Sequence, residues 1–283
     1  MRAIIDGIRK LVRTPATADA IDLPTVPHSR RAKLADDRIA DLQVNGLPSA
    51  QDLYDRWASG AIRGAPRAPS HLLTTTWAPD SKYWPIVVKA LDEAEVLFVR
   101  DLLGEIRDNR IDGAIVEFGV FEGRWLATLA DLQDELNLGR QIYGFDSFEG
   151  LPSVSTSDDL DCWSEGQYRA DFDSVRKRLR CDERDNIHLV KGWFSDTLTR
   201  SDIRAIRSIA YARVDCDLYQ PAVEVLDYLK SRLTSGAILV FDDWTWRLDK
   251  GETKAFSEWS KLCGFNFEFL GSSMGHLYLK VLK

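Results

Sequence analysis

Two pairs of aspartates close two strongly apolar runs. Ile209–Ala210–Tyr211–Ala212–Arg213–Val214 leads into Asp215–Cys216–Asp217, and Ala237–Ile238–Leu239–Val240–Phe241 leads into Asp242–Asp243. Each run reads as a buried parallel strand. Carboxylates at the carboxyl ends of such strands line the crevice where open α/β sheets bind ligands. If the two strands are neighbours, four negative charges meet in one small space, which is costly without a cation or a proton. Asp215 and Asp217 are two apart and share a face. An all-oxygen donor set suits a hard dication, magnesium or manganese, with positions left for water or an alcohol oxygen. A metal lowers the pKa of a bound oxygen acid by several units. Asp217, held off the metal, can then take the proton. Singly, each aspartate has a plainer explanation as a helix cap or surface charge. For Asp217, just ahead of a helix expected from 219, capping is a direct rival.

A second constellation is Val116–Glu117–Phe118–Gly119–Val120–Phe121–Glu122–Gly123. Gly119 permits close backbone approach to a ligand, and Gly123 lets a helix start under it. Phe121 stands where a dinucleotide fold wants its second glycine, so a nicotinamide dinucleotide is disfavoured. A ligand without phosphates, anchored by its amino-acid portion, fits better. The next strand ends at Phe145–Asp146, about 23 residues beyond the turn. An acidic side chain at that offset can accept from both hydroxyls of a ribose, with a cap or loop aspartate as the alternative. After the third strand comes Lys191–Gly192–Trp193–Phe194–Ser195–Asp196. Adenine needs an apolar slab, from Trp193 or Phe194, and a polar edge contact, from Asp196. Core packing and helix capping explain these three residues equally well.

These residues need a scaffold. Near-helical spacing of Val87, Val88, Leu91, Val96, Leu97, Val99, Leu102, Leu103 and Ile106 predicts one helix over 86–110. Strands are expected at 113–118, 141–145, 187–191, 208–214 and 237–241. Helices are expected at 123–137, 169–180, near 197–205, 219–232 and 251–262. Strands 265–271 and 275–282, joined by a tight Ser-Ser-Met-Gly connection, read as a hairpin. Five β-α units and a hairpin give an α/β fold, a doubly wound sheet with an antiparallel edge. The hairpin favours the methyltransferase variant of the Rossmann-like sheet over a dehydrogenase, by fold analogy. The long loop 146–168 reads as a lid, binding loop or mobile surface loop, with Trp163 and Tyr168 available to stack on a sugar ring.

Residues 1–85, rich in proline, form an irregular, partly ordered extension, a second lid or an oligomer contact; the catalytic domain is 86–283. Met1–Arg13 is a basic amphipathic helix for a partner subunit, a membrane surface or plain disorder. No stretch reaches transmembrane length. A net charge of −7 argues against a general nucleic-acid binder. Cys162, Cys181, Cys216 and Cys263 lack paired metal spacing and read as reduced thiols in a cytosol. Of the four histidines, His276 is placed near the sheet edge, His188 opens a strand, and His28 and His71 lie in the extension. His71 is the rival base if the extension folds over the site.

Taken in order, Glu117–Phe118–Gly119–Val120, Asp146–Ser147–Phe148–Glu149–Gly150–Leu151–Pro152, Gly192–Trp193–Phe194–Ser195–Asp196–Thr197–Leu198, Asp215–Cys216–Asp217–Leu218–Tyr219 and Asp242–Asp243 resemble the macrocin O-methyltransferase (TylF-like) family over roughly 86–283. That resemblance implies a class I methyltransferase sheet, S-adenosylmethionine and magnesium as cofactors, and a sugar hydroxyl of a glycosylated metabolite or polysaccharide as acceptor. It implies a cofactor site from Glu117, Gly119, Val120, Gly123, Asp146, Ser147, Trp193, Asp196 and Asp215. Asp215, Asp242 and Asp243 would hold the metal and Asp217 would be the base. Cys216 stands where a glycine is usual, and Arg124–Trp125 where small residues are common. A catechol-type phenol methyltransferase and a non-catalytic binding module are the competing readings. Self-association is expected; stable membrane insertion is not.

Overall fold

The computed structural model describes residues 84–158, 163–244, 249–273 and 276–283. The expectations for residues 1–83, including the basic helix, His28 and His71, lie outside the described residues, as does Cys162.

In chain order the elements are α1 (Trp84–Asp108), β1 (Ala114–Phe118), α2 (Arg124–Leu136), β2 (Ile142–Asp146), α3 (Phe172–Arg178), β3 (Ile187–Lys191), α4 (Phe194–Thr197), α5 (Ser201–Arg204), β4 (Ile209–Val214), α6 (Tyr219–Leu229), β5 (Leu233–Phe241), α7 (Gly251–Ser260), β6 (Asn266–Ser273) and β7 (His276–Leu282). They form a seven-stranded sheet in the order β3-β2-β1-β4-β5-β7-β6. Strands β1 to β5 pair in parallel, and β7 runs antiparallel to both β5 and β6. The five parallel strands and the terminal hairpin are as the periodicity predicts. One detail differs: the helix expected near 197–205 is two short ones, α4 and α5. Within the hairpin β7 lies beside β5 and β6 takes the edge, so His276 opens a strand one place from the edge.

Strand alternation sorts the core into two layers. Val116, Phe118, Ala212, Val214, Leu239 and Phe241 pack with residues of α6 and α7. Ile115, Tyr211, Ile238 and Val240 pack on the other face with Val99, Leu102, Leu103 and Ile106 of α1 and Leu126 and Leu129 of α2. The same period of two puts Glu117, Arg213, Asp215 and Asp242 on that second face, at the carboxyl ends of their strands. Chain order reverses between β1 and β4, which makes their ends the switch-point crevice. Register aligns Phe118 with Val214 and Val214 with Phe241. The next residue on each strand is Gly119, Asp215 and Asp242, and the three meet side by side. No helix among the described residues is long and apolar enough to cross a membrane.

Candidate active site

A cavity of about 460 Å³ opens at this end of the sheet, a size suited to a small-molecule ligand. Asp215, Asp217, Asp242 and Asp243 all line it. Asp215, Asp242 and Asp243 each offer a carboxylate oxygen, and these oxygens lie within 4.8 Å of one another. The neighbouring strands therefore bring both aspartate pairs together. Asp217 is 8% exposed and adopts φ +60°, a backbone region that non-glycine residues seldom occupy. Its side chain bonds Asp243. It does not cap α6: the α6 amide of Tyr219 donates instead to Asp158, at 2.6 Å.

Burial pushes the Asp217 carboxyl up to about 7, reinforced by the charge of Asp215. Burial, with the charges of Asp217, Glu252 and Asp215, drives Asp243 in the same direction. The donor set is all oxygen and short of positive charge on the cavity side, so it fits a hard dication. A testable consequence follows for the metal-free protein. Folded Asp217 keeps its proton up to about pH 7, whereas the unfolded chain releases it near the ordinary 3.8. Between those values the folded state binds more protons, so stability falls as pH rises through the window. Added Mg2+ is expected to raise Tm by several degrees at pH 8 and by little at pH 5. Equal shifts at both values would contradict this.

Behind the acids lies a feature the sequence analysis passed over: Arg213, fully buried on β4. Its Nε lies 3.8 Å from Glu117 and 3.7 Å from Asp215, and its Nη1 lies 3.8 Å from Glu95 of α1. Its Nη2 donates to Oδ1 of Asp242. The Trp125 ring lies 4.4 Å from the guanidinium carbon, which gives this large residue a partner. His276 also reaches Oδ1 of Asp242, through Nε2 at 3.1 Å, while its Nδ1 is 2.5 Å from Glu95. Tyr278 donates to the same Glu95 oxygen. Arg213 and His276 thus orient Asp242 from behind through one oxygen and leave the other for a ligand in the cavity. The only sequence signal was a charged residue inside a run otherwise apolar.

The glycine turn is built around Asp146. Its Oδ2 accepts from the amides of Val120 and Phe121, at 2.8 and 2.7 Å, and its Oδ1 from Phe148 at 2.6 Å. Three of its roughly four acceptor positions are thus taken by the protein's own amides. Gly119 is needed for a protein contact: a Cβ there would sit 1.6 Å from the Asp215 carbonyl oxygen. Its close approach is to the end of β4, although Gly119 also lines the cavity. A Cβ on Gly123 would meet Val175 of α3 at 2.9 Å and Leu179, just past that helix, at 3.6 Å. Val120, Gly123 and Glu117 are not in the cavity wall. Glu117 is 1% exposed, and its Oε2 has no hydrogen-bond partner among the described residues.

Ser147, Trp193, Phe194 and Ser195 line the cavity, while Asp196 is exposed and stands outside it. Its position in the first turn of α4 turns it outward. Tyr168 lies on the wall against Phe121, with ring centroids 5.4 Å apart, and Trp163 stands 6.0 Å behind Tyr168. The stretch 155–158 of the long loop is tied down rather than loose. Besides Asp158 on Tyr219, Ser157 accepts from the Gly251 amide at 2.9 Å and Lys250 donates to Thr156. His188, by contrast, pairs with Gln141 and stacks on Tyr143, away from the acids.

The strand order, with β7 antiparallel between β5 and β6, and the acid-lined switch-point crevice define a class I, Rossmann-like methyltransferase fold. The profile of the family described as Macrocin-O-methyltransferase (TylF) matches residues 80–263, and the chain belongs to that family. Among similar proteins, 8-demethyl-8-(2,3-dimethoxy-alpha-L-rhamnosyl)-tetracenomycin-C 4'-O-methyltransferase of Streptomyces olivaceus is 28% identical over 64% of this chain and 69% of its own. Demethyldecarbamoylnovobiocin O-methyltransferase of Streptomyces niveus is 25% identical over 59% of this chain and 64% of its own. Mycinamicin III 3''-O-methyltransferase of Micromonospora griseorubida is 28% identical over 49% of this chain and 58% of its own. The chain therefore spans less than two thirds of two of these relatives. Two solved structures share the fold. The O-methyltransferase NovP has a TM-score of 0.60 at 21% identity, covering 67% of this chain and 80% of that one. The calicheamicin methyltransferase CalS11 has a TM-score of 0.58 at 24% identity, covering 94% and 99%.

Proposed function

We propose that this chain is an O-methyltransferase that moves the methyl group of S-adenosylmethionine to a sugar hydroxyl of a glycosylated natural product or saccharide, with a magnesium or manganese ion on Asp215, Asp242 and Asp243. The observation that carries the reading is the convergence of those three carboxylates beside Asp217, at the switch point of a TylF-family sheet. The relatives' names add support, since the first specifies a rhamnosyl substrate and a 4'-hydroxyl.

When bound, the cofactor supplies an electrophilic sulfonium methyl, and the dication makes a hydroxyl it touches more acidic. The protein's own residues do the rest. Asp217 takes the hydroxyl proton on its carboxylate. Asp215, Asp242 and Asp243 hold the cation, with Arg213 and His276 fixing Asp242. The turn organised by Asp146 forms the floor for the cofactor's methionine and ribose, and Trp193 offers an apolar slab to its adenine. Glu117 lies behind this floor, and its Oε2, without a partner among the described residues, would meet the cofactor's ammonium only if the wall at Gly119 shifts to expose it. Phe121 and Tyr168 offer ring faces and edges to the acceptor sugar. The reaction is then mainly a matter of alignment of oxygen, methyl carbon and sulfur. Self-association and a cytosolic setting belong to the same reading, and the free thiols of Cys181, Cys216 and Cys263 suit the latter.

The test is a panel of rhamnosylated and other glycosylated acceptors beside simple catechols, run with metal-stripped protein and with added Mg2+. Metal-dependent methylation of a sugar hydroxyl is expected. Transfer confined to catechols would assign the chain to phenol methylation. Sugar methylation that withstands a chelator would remove the metal from the mechanism.

A further inference from the structure

Glu252, in the first turn of helix α7, is fully buried, and its side chain faces neither solvent nor a salt-bridge partner in the described structure. Its Oε1 accepts from the amides of Cys216 and Asp217, at 2.5 and 3.1 Å. Its Oε2 lies 3.4 Å from the amide of Asp243. One carboxylate therefore spans both acidic loops, the one after β4 and the one after β5. The helix can start this close because its first residue is Gly251: a Cβ there would lie 2.9 Å from the Asp217 carbonyl oxygen. Burial and the neighbouring aspartates hold this carboxyl well above the usual carboxylate range, an expensive way to fill a core that an apolar side chain of similar volume would avoid. What an apolar residue cannot do is accept three main-chain hydrogen bonds from two separate loops.

We infer that Glu252 is a positioning residue that sets Asp217, in its left-handed conformation, against the metal-binding Asp215 and Asp243; the inference rests on the function proposed above. Glu252 touches no reacting atom. It acts through the amides, by holding the Cys216–Asp217 peptide and Asp243 at one fixed separation. A misplacement of about 1 Å in such a site can cost on the order of a hundredfold in rate. Glutamine can accept through its oxygen from one loop, but its amide nitrogen is a donor and opposes the amide of the other. Aspartate keeps two acceptors but is one methylene short.

The experiment compares wild type with Glu252→Gln and Glu252→Asp by steady-state kinetics, cofactor titration and amide hydrogen exchange. The expected result is a fall in kcat of roughly ten- to a hundredfold in Glu252→Gln, with cofactor Kd within about twofold and a smaller fall in Glu252→Asp. Exchange should quicken in peptides holding Cys216, Asp217 and Asp243 and stay unchanged in β1 and β2. Wild-type kcat in Glu252→Gln, or exchange that quickens evenly over the whole sheet, would overturn the inference. If Glu252→Gln does not fold, Glu252→Asp carries the same two criteria. Exchange reads the clamp without turnover, so a wild-type protein that shows no metal-dependent methylation would count against the proposed function and leave the clamp to be judged on protection alone.

Discussion

Asp217→Asn is expected to lower kcat by about 10²- to 10⁴-fold, the range associated with loss of a positioned general base. Asparagine matches the shape of the aspartate but cannot take a proton at neutral pH. Its neighbours should stay in place, because the backbone of residue 217 is held by Glu252 and its side chain can still bond Asp243. Cofactor affinity should therefore change little. Stability supplies a second signature. Burial raises the Asp217 carboxyl to about 7, so ionising it at pH 8 works against the metal-free fold. Removing that carboxyl should leave the metal-free Tm at pH 8 unchanged or higher. Loss of activity with no loss of stability separates a chemical role from a structural one. Turnover within threefold of wild type would place the base elsewhere.

The second large effect concerns the fold. Arg213 is fully buried with Glu95, Glu117, Asp215 and Asp242 around it. Arg213→Met fills similar space but leaves four carboxylates without their shared cation. Breaking a buried pair by removing one partner costs about 3–5 kcal/mol, or a fall in Tm of roughly 10 °C for a domain of this size. Protons can take the place of the lost charge, so the destabilisation should be greater at pH 8 than at pH 5. Arg213→Lys should recover only part, since a single ammonium cannot fork toward several carboxylates. A melting curve for Arg213→Met that overlays wild type at pH 8 would show that the guanidinium is not the keystone of this layer.

The architecture was readable because period-two and near-helical apolar patterns run through most of the described chain, and the strands carrying Asp215 and Asp242 are long enough to be unambiguous. The convergence of the aspartate pairs followed from one assumption, that β4 and β5 are neighbours, and the register satisfies it. Other details depend on the third dimension. Nothing in the string Phe145–Asp146 tells that three main-chain amides already occupy that carboxylate. The spacing of Gly119 predicts a tight approach but not which atom approaches. Arg213 reads as an interruption until Glu95, 118 residues earlier in the chain, is brought beside it by α1. Glu252 reads as an ordinary first-turn acid, since a helix N-terminus favours one; its contacts join the loop leading into its own helix to the loop after β4, 35 residues earlier in the chain. In each case a long-range contact, not local composition, sets the role.

The proposed mechanism depends above all on one dication held by strand-end carboxylates next to Asp217. The most direct measurement is anomalous scattering from crystals soaked in Mn2+ and S-adenosylmethionine at pH 8. A single manganese peak at bonding distance from oxygens of Asp215, Asp242 and Asp243, absent in crystals of Asp243→Ala, is the predicted result. Manganese bound elsewhere, or no peak there in a protein whose sugar methylation also survives chelation, would contradict it.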